Sequence, residues 1–328
     1  MLRVRADLAL VIVTLIWGTT FVVVKQTLDM LPPLVLIAAR FWVAGLALLG
    51  VWMAHHFGFW ILDFGSKRQS QKPEQVARRA TGNVRALLRE GALTGVVLTG
   101  GFVTQTMGLQ TTAAGKSAFI TGLSVIIVPA LAALLLRKPP ARAAVVGVAL
   151  ATVGMGLLTL DSALRLAPGD LWTLACAGCF ALHIVCTAHF APRHAALPFT
   201  LAQLFTVAAL TTLAAAFAQP QVLLAHEVNA TPIPNVAELS RALPAVLYLG
   251  LAATAVVFGL QTWAQRHTSP THTALIFTLE PVFAAIFALL LTGEVLARQE
   301  WIGGGLILIG MLLAELWPAS SRTAEVPC

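Results

Sequence analysis

Apolar residues run along this chain in long blocks, and the first extends from Leu8 to Val24 without a charge. A helix crossing a bilayer needs about 20 mostly apolar residues. Ten windows meet that need, at approximately 7–25, 34–54, 91–110, 117–136, 142–160, 170–190, 197–217, 243–264, 272–292 and 300–317. They take up most of the chain and leave no room for a soluble domain. The pattern predicts an all-α membrane protein of ten transmembrane helices. The first window does not read as a cleaved leader, because Lys25-Gln26-Thr27 behind it offers no small-x-small site.

Composition sharpens this picture. Hydrophobic residues make up 58% of the chain, charged residues 11%, and mean hydropathy is +0.84. Soluble domains average about 45–50% apolar and about 25% charged. A water-soluble enzyme and a disordered chain are thereby excluded. The 25 Gly and 17 Pro sit largely in or beside apolar runs, as in packed membrane helices. Cys176-x-x-Cys179 has metal-like spacing, but no second Cys or His pair accompanies it at zinc spacing, so these read as small residues on a helix face.

The formal charge of +7 reflects loop markers and not a nucleic-acid surface. With the N-terminus inside, 15 of the 21 Lys and Arg fall in cytoplasmic segments and five outside. Only Arg40 lies within a span. This asymmetry predicts cytoplasmic termini in an inner membrane. Residues 55–90 read as a basic cytoplasmic loop, in which 76–89 is either a short helix on the anionic inner leaflet or solvated chain. Residues 218–242 read as an outer loop with a glycosylation-type triplet at Asn229-Ala230-Thr231.

The chain repeats itself. Shifted by 156, residues 105–160 lie on 261–316 without a gap. Gln105-Thr106 meets Gln261-Thr262, Ala141-Arg142 meets Ala297-Arg298, Gly147 meets Gly303, and Gly154 meets Gly310. A shift of 163 serves the earlier part, placing Asp7 on Asp170 and Arg40 on Gln203. The predicted division is 1–160 and 161–328, five spans each. An odd span count sends the second repeat into the membrane from the opposite side, the inverted architecture of many secondary transporters.

Trp17-Gly18-Thr19-Thr20-Phe21, Arg40-Phe41 and Ala118-Phe119-Ile120-Thr121-Gly122-Leu123 resemble signatures of the EamA family of the drug/metabolite transporter superfamily. Leu279-Glu280-Pro281-Val282-Phe283-Ala284-Ala285, with Gly293-Glu294 beyond, is the most specific match. One departure is that the first repeat has Arg137-Lys138 where the second has Gly293-Glu294. The resemblance covers nearly the whole chain and implies a ten-helix exporter-type carrier of small metabolites.

Polar groups within spans are costly and mark candidate function. Glu280 lies about 12 Å into its span and precedes Pro281, which removes a backbone donor. It is read as a coupling carboxylate for protons or a cargo amine, or as a group locked by Thr and Gln neighbours. Arg40 attracts an anionic or zwitterionic cargo, snorkels outward, or braces span 1. Gln261 and Gln265 share a helix face, Gln105 mirrors Gln261, and Gln203 is the mate of Arg40. These amides either line a cavity or join helices. His183 exchanges protons or donates to a backbone carbonyl. Trp17 and Thr20, at i and i+3, contact cargo or pack. Trp42, Trp172 and Trp317 read as interfacial anchors. Gly115-Lys116-Ser117 lacks the upstream glycine of a phosphate loop, since Gln110 stands there, so no ATPase is read.

The function expected is secondary active export of small, amino-acid-like metabolites by alternating access, with no cofactor and with the bilayer and protons as partners. Uptake or exchange of a nutrient, an intramembrane enzyme, and a membrane protein without flux are the alternatives.

Overall fold

A computed structural model describes residues 2–63, 84–112, 114–137, 142–159, 168–218, 236–292 and 298–316, and no strand occurs among them. Helices α1 (Leu2–Gly18) and α2 (Thr20–Leu28) form one interrupted rod, followed by α3 (Pro33–Asp63) and α4 (Val84–Thr111). Next come α5 (Ala114–Gly122) and α6 (Ser124–Leu136), again interrupted, then α7 (Arg142–Thr159). The second half has α8 (Pro168–Phe190), a 3-10 turn at Ala191–Arg193, and α9 (Ala196–Ala218). Helix α10 (Val236–Gly250) passes through a π-helical segment, Leu251–Val256, into α11 (Val257–Gln265). The interrupted pair α12 (Pro270–Phe277) and α13 (Leu279–Thr292) precedes α14 (Arg298–Leu316).

Every window predicted from hydropathy falls on one of these helices or on a consecutive pair. Among the described residues six stretches are long and apolar enough to cross a membrane: Leu2–Leu28, Pro33–Ala54, Val84–Thr111, Pro168–Arg193, Ala196–Phe217 and Ser240–Gln265. The other windows hold shorter or interrupted helices. Leu46, Leu134, Leu171, Phe217 and Ile309 are exposed on the outer faces, as suits contact with lipid tails.

The segment read as a loop at 55–90 is partly helical. Residues 55–63 extend α3, and 84–90 begin α4. The outer segment likewise becomes helix from Val236. The basic residues Lys67 to Arg79, the triplet at Asn229, Gly293-Glu294 and Trp317 lie outside the described residues.

The two halves are interleaved. Each of the four apolar clusters draws on both sides of residue 160: Phe41, Phe102, Leu204 and Phe258 share one, and Leu10 and Ile276 another. Helices α7 and α14 meet through their glycines. A Cβ added at Gly154 would strike the Gly303 carbonyl, and one at Gly310 the Gly147 carbonyl. Small residues let helix backbones approach this closely in lipid.

Polar ties join the halves near the helix ends. His272 Nε2 donates to Asp7 at 3.0 Å, and His194 Nε2 donates to Glu90 at 2.8 Å, with Arg193 3.5 Å from the same carboxylate. Thr112 donates to Asp170 at 3.0 Å. Helix α6 stops at Arg137, which adopts a left-handed φ of 53°. Glycine is the residue that takes this conformation without strain. At the matching position of the second repeat the sequence has Gly293.

Candidate functional site

Each helix interruption borders one cavity. α1 breaks at Thr19, whose hydroxyl bonds Ile16 O and the Tyr248 hydroxyl. α5 breaks from α6 at Leu123, and α12 from α13 at Thr278. Three helix N-termini, at Thr20, Ser124 and Leu279, therefore begin in the middle of the bundle. A helix N-terminus carries partial positive charge and unpaired N–H groups.

Seven residues predicted for the site border the cavity: Trp17, Thr20, Arg40, Gln105, His183, Gln261 and Glu280. Gln203 and Gln265 do not. They stand behind the wall, hydrogen-bonded to His183 and Gln261 respectively. Four aromatic residues not singled out from sequence complete the lining: Phe102, Phe180, Phe258 and Phe277. Trp17 packs edge-on against Phe258 and Phe277 at 5.7 and 5.2 Å, and Phe102 against Phe180 at 5.5 Å.

The repeat offsets recur in the wall. The offset of 163 relates Trp17 to Phe180 and Thr20 to His183. The offset of 156 relates Phe102 to Phe258, Gln105 to Gln261, Ala118 to Ala274, Thr121 to Phe277 and Ser124 to Glu280. Seven lining pairs thus come from matched places in the two halves. The chemistry within the pairs is unequal, since His183 and Glu280 are both in the second half and their mates are hydroxyl residues. Arg40 is the basic group of the first half.

Arg40 is 4% exposed. Its Nε donates to the Thr254 hydroxyl and one NH2 proton to Ala253 O at 2.9 Å. Trp17 Nε1 donates to the same carbonyl at 3.3 Å. Both acceptors belong to the π-helical segment, where Thr254 Oγ1 donates five residues back to Leu249 O. Such widened turns occur frequently at functional sites. The guanidinium lies 4.7 Å over the Phe102 ring. Arg40 is thus neither snorkelled outward nor bonded to span 1, and no carboxylate pairs with it among the described residues.

Glu280 occupies the first turn of α13. It is half-buried and makes no hydrogen bond or ion pair with any described residue, so the locking by Thr or Gln considered from sequence is absent there. The carboxylate borders the cavity beside the positive end of its own helix. Gln105 is likewise half-buried and makes no side-chain hydrogen bond to the described residues.

His183, 2% exposed, bonds the Gln203 side chain at 2.8 Å and not a backbone carbonyl. Among the described residues no group of three His, Cys, Asp or Glu is placed to hold a metal, and Cys176 and Cys179 are free. Trp42 and Trp172 are exposed.

The EamA-like transporter family model matches this chain over residues 4–160 and again over 167–316. An uncharacterized transporter of Archaeoglobus fulgidus is 28% identical over 314 residues, 96% of this chain and 87% of that protein. The uncharacterized transporter YwfM of Bacillus subtilis is 33% identical over 87 residues, 26% of this chain and 29% of its own. A protein crystal structure superposes with a TM-score of 0.70 at 18% identity, covering 95% of this chain and 99% of its own, a likeness of fold alone. With its two repeats each matched over nearly their full length, the chain is an integral membrane protein that belongs to the EamA-like transporter family.

Proposed function

We propose that the protein is a secondary carrier that exports small, amino-acid-like metabolites across the cell membrane by alternating access. In this reading ten spans form two inverted five-helix repeats with both termini in the cytoplasm. The observation that carries it is the cavity wall, built from seven residue pairs at matched places in the two repeats. A site shared between two related bundles of opposite orientation can face either side as the bundles exchange shapes.

The residues have distinct roles in this mechanism. Arg40, fixed by the π-helical segment, has N–H groups left over for an anionic end of the cargo. Glu280, unpaired among the described residues, takes a proton from one side and releases it to the other, or holds a cargo amine. Trp17 and the four phenylalanines enclose the apolar part of the cargo. Thr20, Gln105, His183 and Gln261 supply hydrogen bonds, and Gln203 and Gln265 act from behind them. The direction is export, with uptake or exchange as the other outcome of the same test.

Flux of a panel of radiolabelled amino acids and derivatives into and out of proteoliposomes, with and without a proton gradient, tests the reading. Saturable flux that concentrates cargo against its gradient when protons run the other way is the expected result. Absence of protein-dependent flux for every compound sinks it.

A further inference from the structure

Gln265 and Gln203 are each 1% exposed and lie outside the cavity lining, and each is bonded to a residue that lies within it. The direction of those bonds is fixed. A backbone carbonyl only accepts hydrogen bonds, and a glutamine amide donates from nitrogen and accepts at oxygen. Gln265 Nε2 donates to Ile184 O at 3.1 Å. Its Oε1 therefore points the other way and accepts from Gln261 Nε2, also at 3.1 Å. The Gln261 nitrogen is thereby held on the Gln265 side, and its Oε1 is left over, buried and with no hydrogen-bond partner among the described residues.

A second relay has the same polarity. Gln203 Nε2 donates to Phe199 O at 3.3 Å, so its Oε1 accepts from His183 Nε2 at 2.8 Å. This assigns the His183 proton to Nε2 and leaves Nδ1 of the neutral ring as an acceptor. Thr187 Oγ1, 3.4 Å from the same Nε2, does not alter that assignment.

We propose that Gln265 is a positioning residue for the cargo site: it turns the Gln261 amide so that Oε1 is the atom offered to the cavity, and this wall selects a cargo group that carries an N–H donor. The Gln203–His183 relay gives the neighbouring part of the wall the same acceptor character, and the unpaired Glu280 adds a third acceptor. Recognition by fixed acceptors is discriminating, because an analogue that presents an oxygen there leaves buried acceptors facing one another without a proton between them. The cargo half of the proposal rests on the carrier reading above; the relay half does not.

The relay is tested without cargo by hydrogen exchange of side-chain amides, read by NMR on glutamine-15N-labelled full-length protein in lipid nanodiscs, with Gln261→Met and Gln105→Met used for assignment. The Gln261 amide protons are expected to exchange at least about tenfold more slowly than those of Gln105, and Gln265→Leu should remove that protection. Equal exchange at Gln261 and Gln105 in the parent overturns the relay.

The cargo half is tested by proteoliposome flux of matched pairs, each an amino acid and the 2-oxo acid of the same skeleton, in which a carbonyl oxygen replaces the amine. The parent is expected to favour the amino acid by about tenfold or more. Gln265→Leu should bring that ratio to within about twofold. Gln265→Glu should restore it at low pH, where its protonated carboxyl donates to Ile184 O and still accepts from Gln261. A parent that carries both members equally, or a ratio unmoved by Gln265→Leu, overturns the selection. Protected amides with no flux of any pair refute the carrier reading and with it the cargo half, while the relay stands.

Discussion

Replacing Arg40 with Met separates a cargo role from a bracing role. The substitution removes two charge-assisted hydrogen bonds to the π-helical segment and the contact with Phe102. Those interactions sum to roughly 4–8 kcal/mol at about 1.5–3 per charged hydrogen bond and about 0.5–2 for the ring contact. Opposing them is the desolvation of a cation that no described carboxylate pairs with, which costs several kcal/mol. The acceptors are not orphaned, because Ala253 O keeps Trp17 Nε1 and the Thr254 hydroxyl still bonds Leu249 O. The net change in stability is expected within about 2 kcal/mol, a shift of no more than about 8 °C in the unfolding midpoint in detergent. Apparent affinity for an anionic cargo should fall much further, by roughly 10- to 150-fold for one lost charged hydrogen bond. Arg40→Lys, which keeps the charge without the planar fork, should carry at least tenfold better than Arg40→Met. Thermal unfolding and proteoliposome flux, measured on the same preparations, decide the matter. An Arg40→Met protein that unfolds far earlier than the parent, or one that carries anionic cargo as the parent does, refutes the reasoning.

Other expectations follow from the same site. Glu280→Gln should insert and fold normally and lose accumulation driven by a proton gradient while retaining exchange; unchanged accumulation with an unchanged pH profile assigns Glu280 no part in coupling. Gln105→Cys, in a background without native cysteines, should react with small polar thiol reagents and be protected by cargo, and Gln261→Cys should react more slowly because that position is 1% exposed. Arg137→Gly should raise stability by about 1 kcal/mol without affecting flux, since it relieves a left-handed conformation at the end of α6; a lower unfolding midpoint counts against it. A reporter active only outside the cytoplasm should be silent when fused at Pro327 and active near Asn229, and the reverse pattern overturns the topology.

Much of this was legible from residue type and spacing. Hydropathy located every described helix, and the cost of polar groups in lipid pointed to seven residues that border one cavity. The repeat offsets held more than was drawn from them. Applied to Trp17, Thr20 and Glu280, they lead to Phe180, His183 and Ser124, so the aromatic and hydroxyl part of the wall could have been found by symmetry. Three things were not legible. The breaks at Thr19, Leu123 and Thr278 fall inside windows that are apolar on average, and hydropathy smooths over the local cues beside them, Gly18, Gly122 and Pro281. The π-helical segment that anchors Arg40 has an ordinary apolar sequence, Leu251–Val256. The placing of Gln265 and Gln203 behind the wall depends on side-chain direction across helices, and periodicity assigns a face without saying which neighbour covers it.

The glycine contact between α7 and α14 has a consequence for motion. Gly154 meets Gly303, and Gly310 meets Gly147. These are the same contact written twice, because the offset of 156 carries Gly147 to Gly303 and Gly154 to Gly310. Any movement that trades the shapes of the two repeats maps this seam onto itself. In the alternating-access reading proposed above, the seam is the fulcrum of such a movement, the place where neither side gains ground. Spin labels on the lipid-facing sides of α7 and α14 should keep one separation through the cycle and serve as the fixed reference against which displacement of the interrupted helices is measured.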